Sequence, residues 1–154
     1  AGLGTMVVRL LDWQVIGDDG EYTLLDVDPR LLEDSRAWLS AWAQARGVPV
    51  RTLPDGVRLG GLRVRLVAAE LGGYLRTGGA APVDLLIANA VMDVVDVPSV
   101  LPPLLSLLEA GDGLAVLLPL GAHHLAAQVS AGGVDLKDSL WRGHPVPCPL
   151  ASYS

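Results

Sequence analysis

Apolar residues fall along the chain in short blocks whose spacing switches between helical and strand-like. Val7, Val8, Leu10 and Leu11 predict a buried helix over 5–13. Gly17-Asp18-Asp19-Gly20 reads as a turn, and Tyr22-Thr23-Leu24-Leu25 as a buried strand. Asp26-Val27-Asp28-Pro29 closes that strand and opens a helix, with Asp28 at the N-cap and Pro29 at the first helical position. Leu31, Leu32, Ser35, Trp38, Leu39 and Trp42 keep helical spacing up to a C-capping Gly47. Pro49, Pro54-Asp55-Gly56 and Gly60-Gly61 make 48–61 irregular or hairpin. Val64, Leu66 and Ala68 alternate with Arg63 and Arg65, predicting a strand that ends near Glu70 with a wet arginine face.

Further on, Tyr74 to Arg76 suggests a helical turn and 83–89 a central strand. A helix is expected over 97–109, with Pro102 and Pro103 awkward inside it. A strand over 114–118 follows. A short helix is expected over 123–129. The segment 143–154, with Pro145, Pro147 and Pro149, reads as a sheet edge or extended tail. This alternation predicts a single α/β domain over 1–154 with a mostly parallel sheet. Ligands in such sheets bind beyond the carboxyl ends of the strands. Asp26, Glu70, Asn89 and Pro119 are the residues that follow those ends.

Composition narrows the function. A hydrophobic share of 51% over 154 residues supports a packed core. No apolar run reaches the roughly 18 residues of a membrane span. Eleven Lys and Arg against seventeen Asp and Glu give a net charge of -6. Scattered basic residues on an acidic chain argue against nucleic acid or an anionic membrane as partner. Cys148 alone allows no internal disulfide, and Ala1-Gly2-Leu3-Gly4 is no basic leader, so a cytoplasmic setting is expected.

The candidate chemistry begins at Gly2-Leu3-Gly4. Glycines admit a ligand close to the backbone, and the helix that follows offers its positive end. Asp26 ends the next strand about twenty residues later, where nucleotide folds place an acid on the ribose hydroxyls. The same glycines also suit an ordinary tight turn. A nicotinamide-binding fingerprint requires a third glycine where this chain has Val7, which opposes an oxidoreductase of Rossmann type.

Four segments together resemble the class I S-adenosylmethionine-dependent methyltransferases. Ala1-Gly2-Leu3-Gly4-Thr5 resembles the second half of that family's glycine-rich motif. Leu24-Leu25-Asp26-Val27-Asp28-Pro29 resembles its strand-end acid segment. Asp84 to Asp93 resembles its fourth-strand motif, and Leu108 to Val116 the turn and fifth strand after it. The resemblance covers positions 1 to about 120, in the family's order. It implies a three-layer Rossmann-like sheet whose first strand would precede Ala1.

The cofactor implied by the resemblance is S-adenosyl-L-methionine. Gly2, Gly4 and Thr5 would lie along its methionine portion, Asp26 would hold the ribose, and Val27 would pack on the adenine. Glu70 would face the adenine amino group, with Leu71 supplying backbone. Asn89 and Ala90 would line the sulfonium. The implied reaction is methyl transfer to a small-molecule acceptor, with monomer and homodimer both open. A non-catalytic cofactor-binding or interaction module on the same fold is the remaining alternative.

Other residues carry weaker chemistry. His123, His124 and Asp93 could serve as a base toward an acceptor, although a solvated loop is the better account of the histidine pair. Asp96 suits a helix N-cap. Trp38 and Trp42, four apart, suit core packing. Three histidines and one cysteine without paired spacing do not make a zinc site, so no metal is expected.

Overall fold

The structure, a computed structural model, describes residues 3–77, 81–89, 95–108, 114–118, 125–130 and 133–137. The chain divides into two compact units, Ala1–Gly73 and Tyr74–Ser154.

In the first unit the elements follow in the order α1 (Thr5–Asp12), β1 (Glu21–Asp26), α2 (Pro29–Ala45), β2 (Val50–Leu53), β3 (Gly56–Leu59) and β4 (Leu62–Ala68). A short helix α3 (Leu71–Arg76) runs across the division. The strands form one sheet in the order β1-β4-β3-β2. Only β1 and β4 are parallel, in register from Glu21 opposite Arg63 to Asp26 opposite Ala68. β2, β3 and β4 make an antiparallel meander. Two tight connections, at Pro54-Asp55 and Gly60-Gly61, leave the chain no option but to reverse.

Alternation along the strands separates core from water. Leu24, Val57, Leu59, Leu62 and Val64 point to one face and cluster with Val7 and Val8 of α1 and Leu32, Leu39 and Ala43 of α2. Leu39, Val7, Val57 and Val64 are wholly buried. The other face carries ions. Arg63 Nη2 meets Asp55 Oδ2 at 2.6 Å and Arg63 Nη1 lies 3.6 Å from Glu21. Arg65 Nη1 meets Glu21 at 3.0 Å. These groups are about a third to a half exposed, so the network contributes modestly to stability and keeps that face wet.

The hairpin tip between β2 and β3 is held from the helix side as well. Arg36 of α2 donates from Nη1 to the carbonyls of Leu53 and Gly56, at 2.9 and 3.1 Å. Gly56 has no room for a side chain, because a Cβ there would stand 1.9 Å from the Val64 carbonyl oxygen. At the far end of α2, the Arg46 guanidinium lies over the Trp42 ring, 4.6 Å from its centroid, and 3.9 Å from Asp12 of α1. That contact joins the C-terminal ends of the two helices.

The second unit contains β5 (Leu85–Asn89), α4 (Val97–Leu105), β6 (Leu114–Leu118), β7 (Leu125–Ser130) and β8 (Gly133–Lys137). Its sheet has the order β5-β6-β7-β8. β5 and β6 are parallel, and β6, β7 and β8 are antiparallel. Leu86, Ala88, Leu104 and Leu108 are its buried apolar side chains among the described residues. Pro102 and Pro103 lie inside α4, which ends at Leu105, short of the predicted 109.

The predicted three-layer, mostly parallel Rossmann-like sheet is therefore not the architecture found. Each described sheet is mixed, with one parallel pair and the remaining pairings antiparallel. Hairpin connections impose this, and the ion-paired face of the first sheet is charged where a parallel sheet with helices on both sides would be apolar. The helix expected over 123–129 is also corrected, since Leu125–Ser130 is the strand β7. The 143–154 segment lies outside the described residues. No described helix is long and apolar enough to cross a membrane.

Candidate functional site

The carboxyl ends of the two parallel strands of the first unit bring together most of what the sequence singled out there. β1 ends at Asp26 and β4 at Ala68, side by side. The Asp26 carbonyl accepts the Ala69 N–H at 3.0 Å, which carries the ladder one step past β4 and sets Glu70 down beside this edge.

Asp26 is half-buried, on the same face as Leu24. Its Oδ1 accepts the Asp28 N–H at 3.0 Å. Burial works against ionisation, but the Asp28 N–H, the positive charge of the amino terminus and, last, the Val27 N–H favour the charged form, and the carboxyl is held below its ordinary value. The Asp28 carboxylate caps α2 in turn, accepting the Arg30 N–H at 2.9 Å, with Pro29 behind it at the first helical position. The turn thus fixes two carboxylates through backbone N–H groups. Between them Val27 stands 72% exposed, an apolar side chain in water beside an oriented carboxylate.

Gly4 caps α1 in the left-handed region, at φ 73. A Cβ on it would meet Leu24 Cδ1 at 3.2 Å and Leu39 Cδ1 at 3.3 Å. Both the backbone conformation and this packing require glycine, so the start of α1 rests on the strand two residues before Asp26. Thr5 is the first residue of α1 and is exposed. Glu70 accepts the Gly72 N–H through Oε1 at 3.2 Å and the Gly73 N–H through Oε2 at 3.1 Å. It steadies the start of α3, where Leu71 is half-buried.

Gly4, Thr5, Asp26, Val27, Glu70 and Leu71 thus belong to the first unit, and Asn89 closes β5 in the second. Gly2, Ala90, Asp93, His123 and His124 lie outside the described residues. Asp96 occupies the N-cap position of α4, and its carboxylate accepts the Ser99 hydroxyl. Trp38 and Trp42 pack against the core cluster. Among the described residues no group of three or more His, Cys, Asp or Glu side chains could hold a metal.

Sequence reasoning missed the part played by Gly72 and Gly73. An acid followed at the second and third positions by glycines is the signal that would have found it, since glycines leave their N–H groups accessible to a preceding carboxylate. It also missed Arg36, whose helical position gave no hint of its reach to the β2–β3 turn.

No protein-family model matches the sequence, and no curated protein matches it.

Proposed function

We propose that the chain binds S-adenosyl-L-methionine at the carboxyl edge of the β1–β4 pair and serves methyl transfer to a small-molecule acceptor. The observation that carries this reading is the Asp26–Val27 step, where a carboxylate oriented by the Asp28 N–H stands directly before an exposed apolar side chain. An ionised carboxylate suits the two hydroxyls of a ribose, and an exposed valine suits the flat face of a purine. The donor set therefore fits the nucleoside end of this cofactor.

In this reading Asp26 accepts from the ribose hydroxyls and Val27 packs on the adenine. Glu70 accepts from the adenine amino group, and the Leu71 backbone borders the ring. The first turn of α1, at Gly4 and Thr5, presents N–H groups and the positive end of the helix toward the carboxylate of the methionine portion. When bound, the cofactor supplies an electrophilic methyl on a sulfonium, a leaving group good enough that the protein mainly positions and desolvates. Asp93, His123 and His124 are the residues to vary as base once an acceptor hydroxyl or amine is known. The acidic, single-cysteine composition supports a cytoplasmic setting and a partner other than nucleic acid.

A thermal-shift titration of the full chain with S-adenosylmethionine, S-adenosylhomocysteine and NADH tests the proposal. A millimolar ligand of micromolar Kd stabilises by about 4 kcal/mol. The expected result is a shift with both S-adenosyl ligands that is lost in Asp26→Ala. A shift with NADH alone overturns the reading in favour of a nicotinamide enzyme, and no shift with any ligand overturns it in favour of a non-catalytic module.

A further inference from the structure

The chain contains three Asp–Gly pairs, Asp19–Gly20, Asp55–Gly56 and Asp112–Gly113, of which the last lies outside the described residues. Such a pair has an intrinsic covalent reaction. The glycine backbone nitrogen attacks the aspartyl side-chain carboxyl carbon. An N–C bond forms, the C–OH bond breaks, and the nitrogen's proton leaves with the hydroxyl as water. The product is a five-membered succinimide. Water then adds back, and opening at the main-chain carbonyl leaves the backbone running through the former side chain as an isoaspartyl linkage. Composition is unchanged and no co-reactant beyond water is needed. The requirement is geometric, in that the carboxyl carbon must swing onto the next nitrogen.

At Asp55–Gly56 the fold opposes that swing at every point. Asp55 Oδ2 is gripped by Arg63 Nη2 at 2.6 Å, with Arg65 Nε 3.8 Å away. The Asp55 carbonyl accepts the Leu66 N–H at 2.8 Å. Gly56 is buried, stands opposite Arg65 in the ladder, and gives its carbonyl to Arg36 at 3.1 Å. Its Cα lies so close to the Val64 carbonyl that no added atom fits.

Asp19–Gly20 is the opposite case. Both residues are exposed. Nothing lies within 4 Å of where a Gly20 side chain would start, so no packed neighbour covers that side of the glycine. Asp19 Oδ1 lies over Gly17, which has no side chain to hold it. Around the pair, however, the backbone is used. The Gly20 carbonyl accepts the Arg63 N–H at 2.9 Å, the first rung between β1 and β4. Gly61 packs on the Asp18 carbonyl and the Asp19 Cα, and a Cβ there would stand 2.6 and 3.5 Å from them.

We propose that Asp19–Gly20 is a site of succinimide formation and isoaspartyl conversion in the folded protein, and that Asp55–Gly56 is protected from the same reaction by its arginine pair and ladder. Conversion at Asp19 inserts a methylene into the main chain where Gly61 packs, and it weakens the first β1–β4 rung.

The test is incubation of the full chain at neutral pH and body temperature, in parallel with and without denaturing urea. Isoaspartate is then located by peptide mapping with electron-transfer fragmentation. In the folded protein, conversion at Asp19 is expected several-fold above that at Asp55, and in urea the two rates are expected to converge. Asp19→Glu should abolish the signal at its position, and Arg63→Ala should raise conversion at Asp55 in buffer. Equal rates at the two pairs in the folded protein would overturn the proposal. So would a rate at Asp19 suppressed by folding as strongly as that at Asp55.

Discussion

Arg36 donates a guanidinium N–H to the carbonyl oxygen of Gly56 at 3.1 Å, across the interface between α2 and the β2–β3 turn. The same nitrogen serves Leu53 at 2.9 Å, and Arg36 Nε lies 3.1 Å from Glu33. One side chain thus ties the middle of the helix to the β2–β3 turn. Replacing it with methionine keeps the aliphatic stem but leaves two turn carbonyls without their donor. Hydrogen bonds to charged donors contribute about 1.5–3 kcal/mol each, and a shared donor places Arg36→Met near that range for the pair. Urea denaturation checks this. A midpoint unchanged from the parent would mean that the turn holds itself.

Two glycines should respond differently to alanine. Gly4→Ala meets a left-handed backbone and two leucine methyls that can shift by a few tenths of an ångström, so a cost of about 1–2 kcal/mol is expected. Gly56→Ala meets a backbone oxygen at 1.9 Å, which cannot yield without breaking the β3–β4 ladder. A cost of about 3 kcal/mol or more is expected there. Denaturant midpoints of the two variants decide the order. The reverse ranking would contradict the close approach of Gly56 to Val64.

Tyr22 gives the fold an alkaline limit. Burial pushes its phenol up to about 12 from an ordinary 10.0. A group whose folded pKa is raised contributes stability that is complete below its unfolded value and is lost as pH rises through the folded one. Stability should therefore fall between about pH 10 and 12, with the phenolate absorbance appearing late in that window. Tyr22→Phe should flatten this part of the pH–stability curve. A curve of unchanged slope would show that the phenol is not responsible.

The elements of the first unit were largely legible in the sequence because their signals are local. Asp28-Pro29 marks the start of α2, and the alternation of Arg63 and Arg65 with Val64 and Leu66 marks β4 and its wet face. The sheet type was not legible, because parallel or antiparallel pairing depends on which strands meet and not on any one strand's pattern. Buried strands such as Leu85–Asn89 look alike in either arrangement. The β7–β8 hairpin was read as a helix in part because Leu125-Ala126-Ala127-Gln128 favours helix by propensity, and pairing with β6 overrides it. Asp26 was found from its spacing after the glycines, whereas Gly4 proved to be fixed by Leu24 and Leu39 packed against it. Packing and the left-handed backbone by themselves already require glycine there.

The connection between β1 and β4 contains a helix and the two other strands of the same sheet. β2, β3 and β4 can meet through turns of a few residues, whereas β1 finds β4 only across a long loop. Loop-closure entropy therefore makes the meander the early partner and β1 the late arrival. The edge that carries Asp26 exists only once β1 has docked. Local opening that releases this strand erases the carboxylate's setting before the hairpin melts, so formation of that edge and completion of the fold are one event.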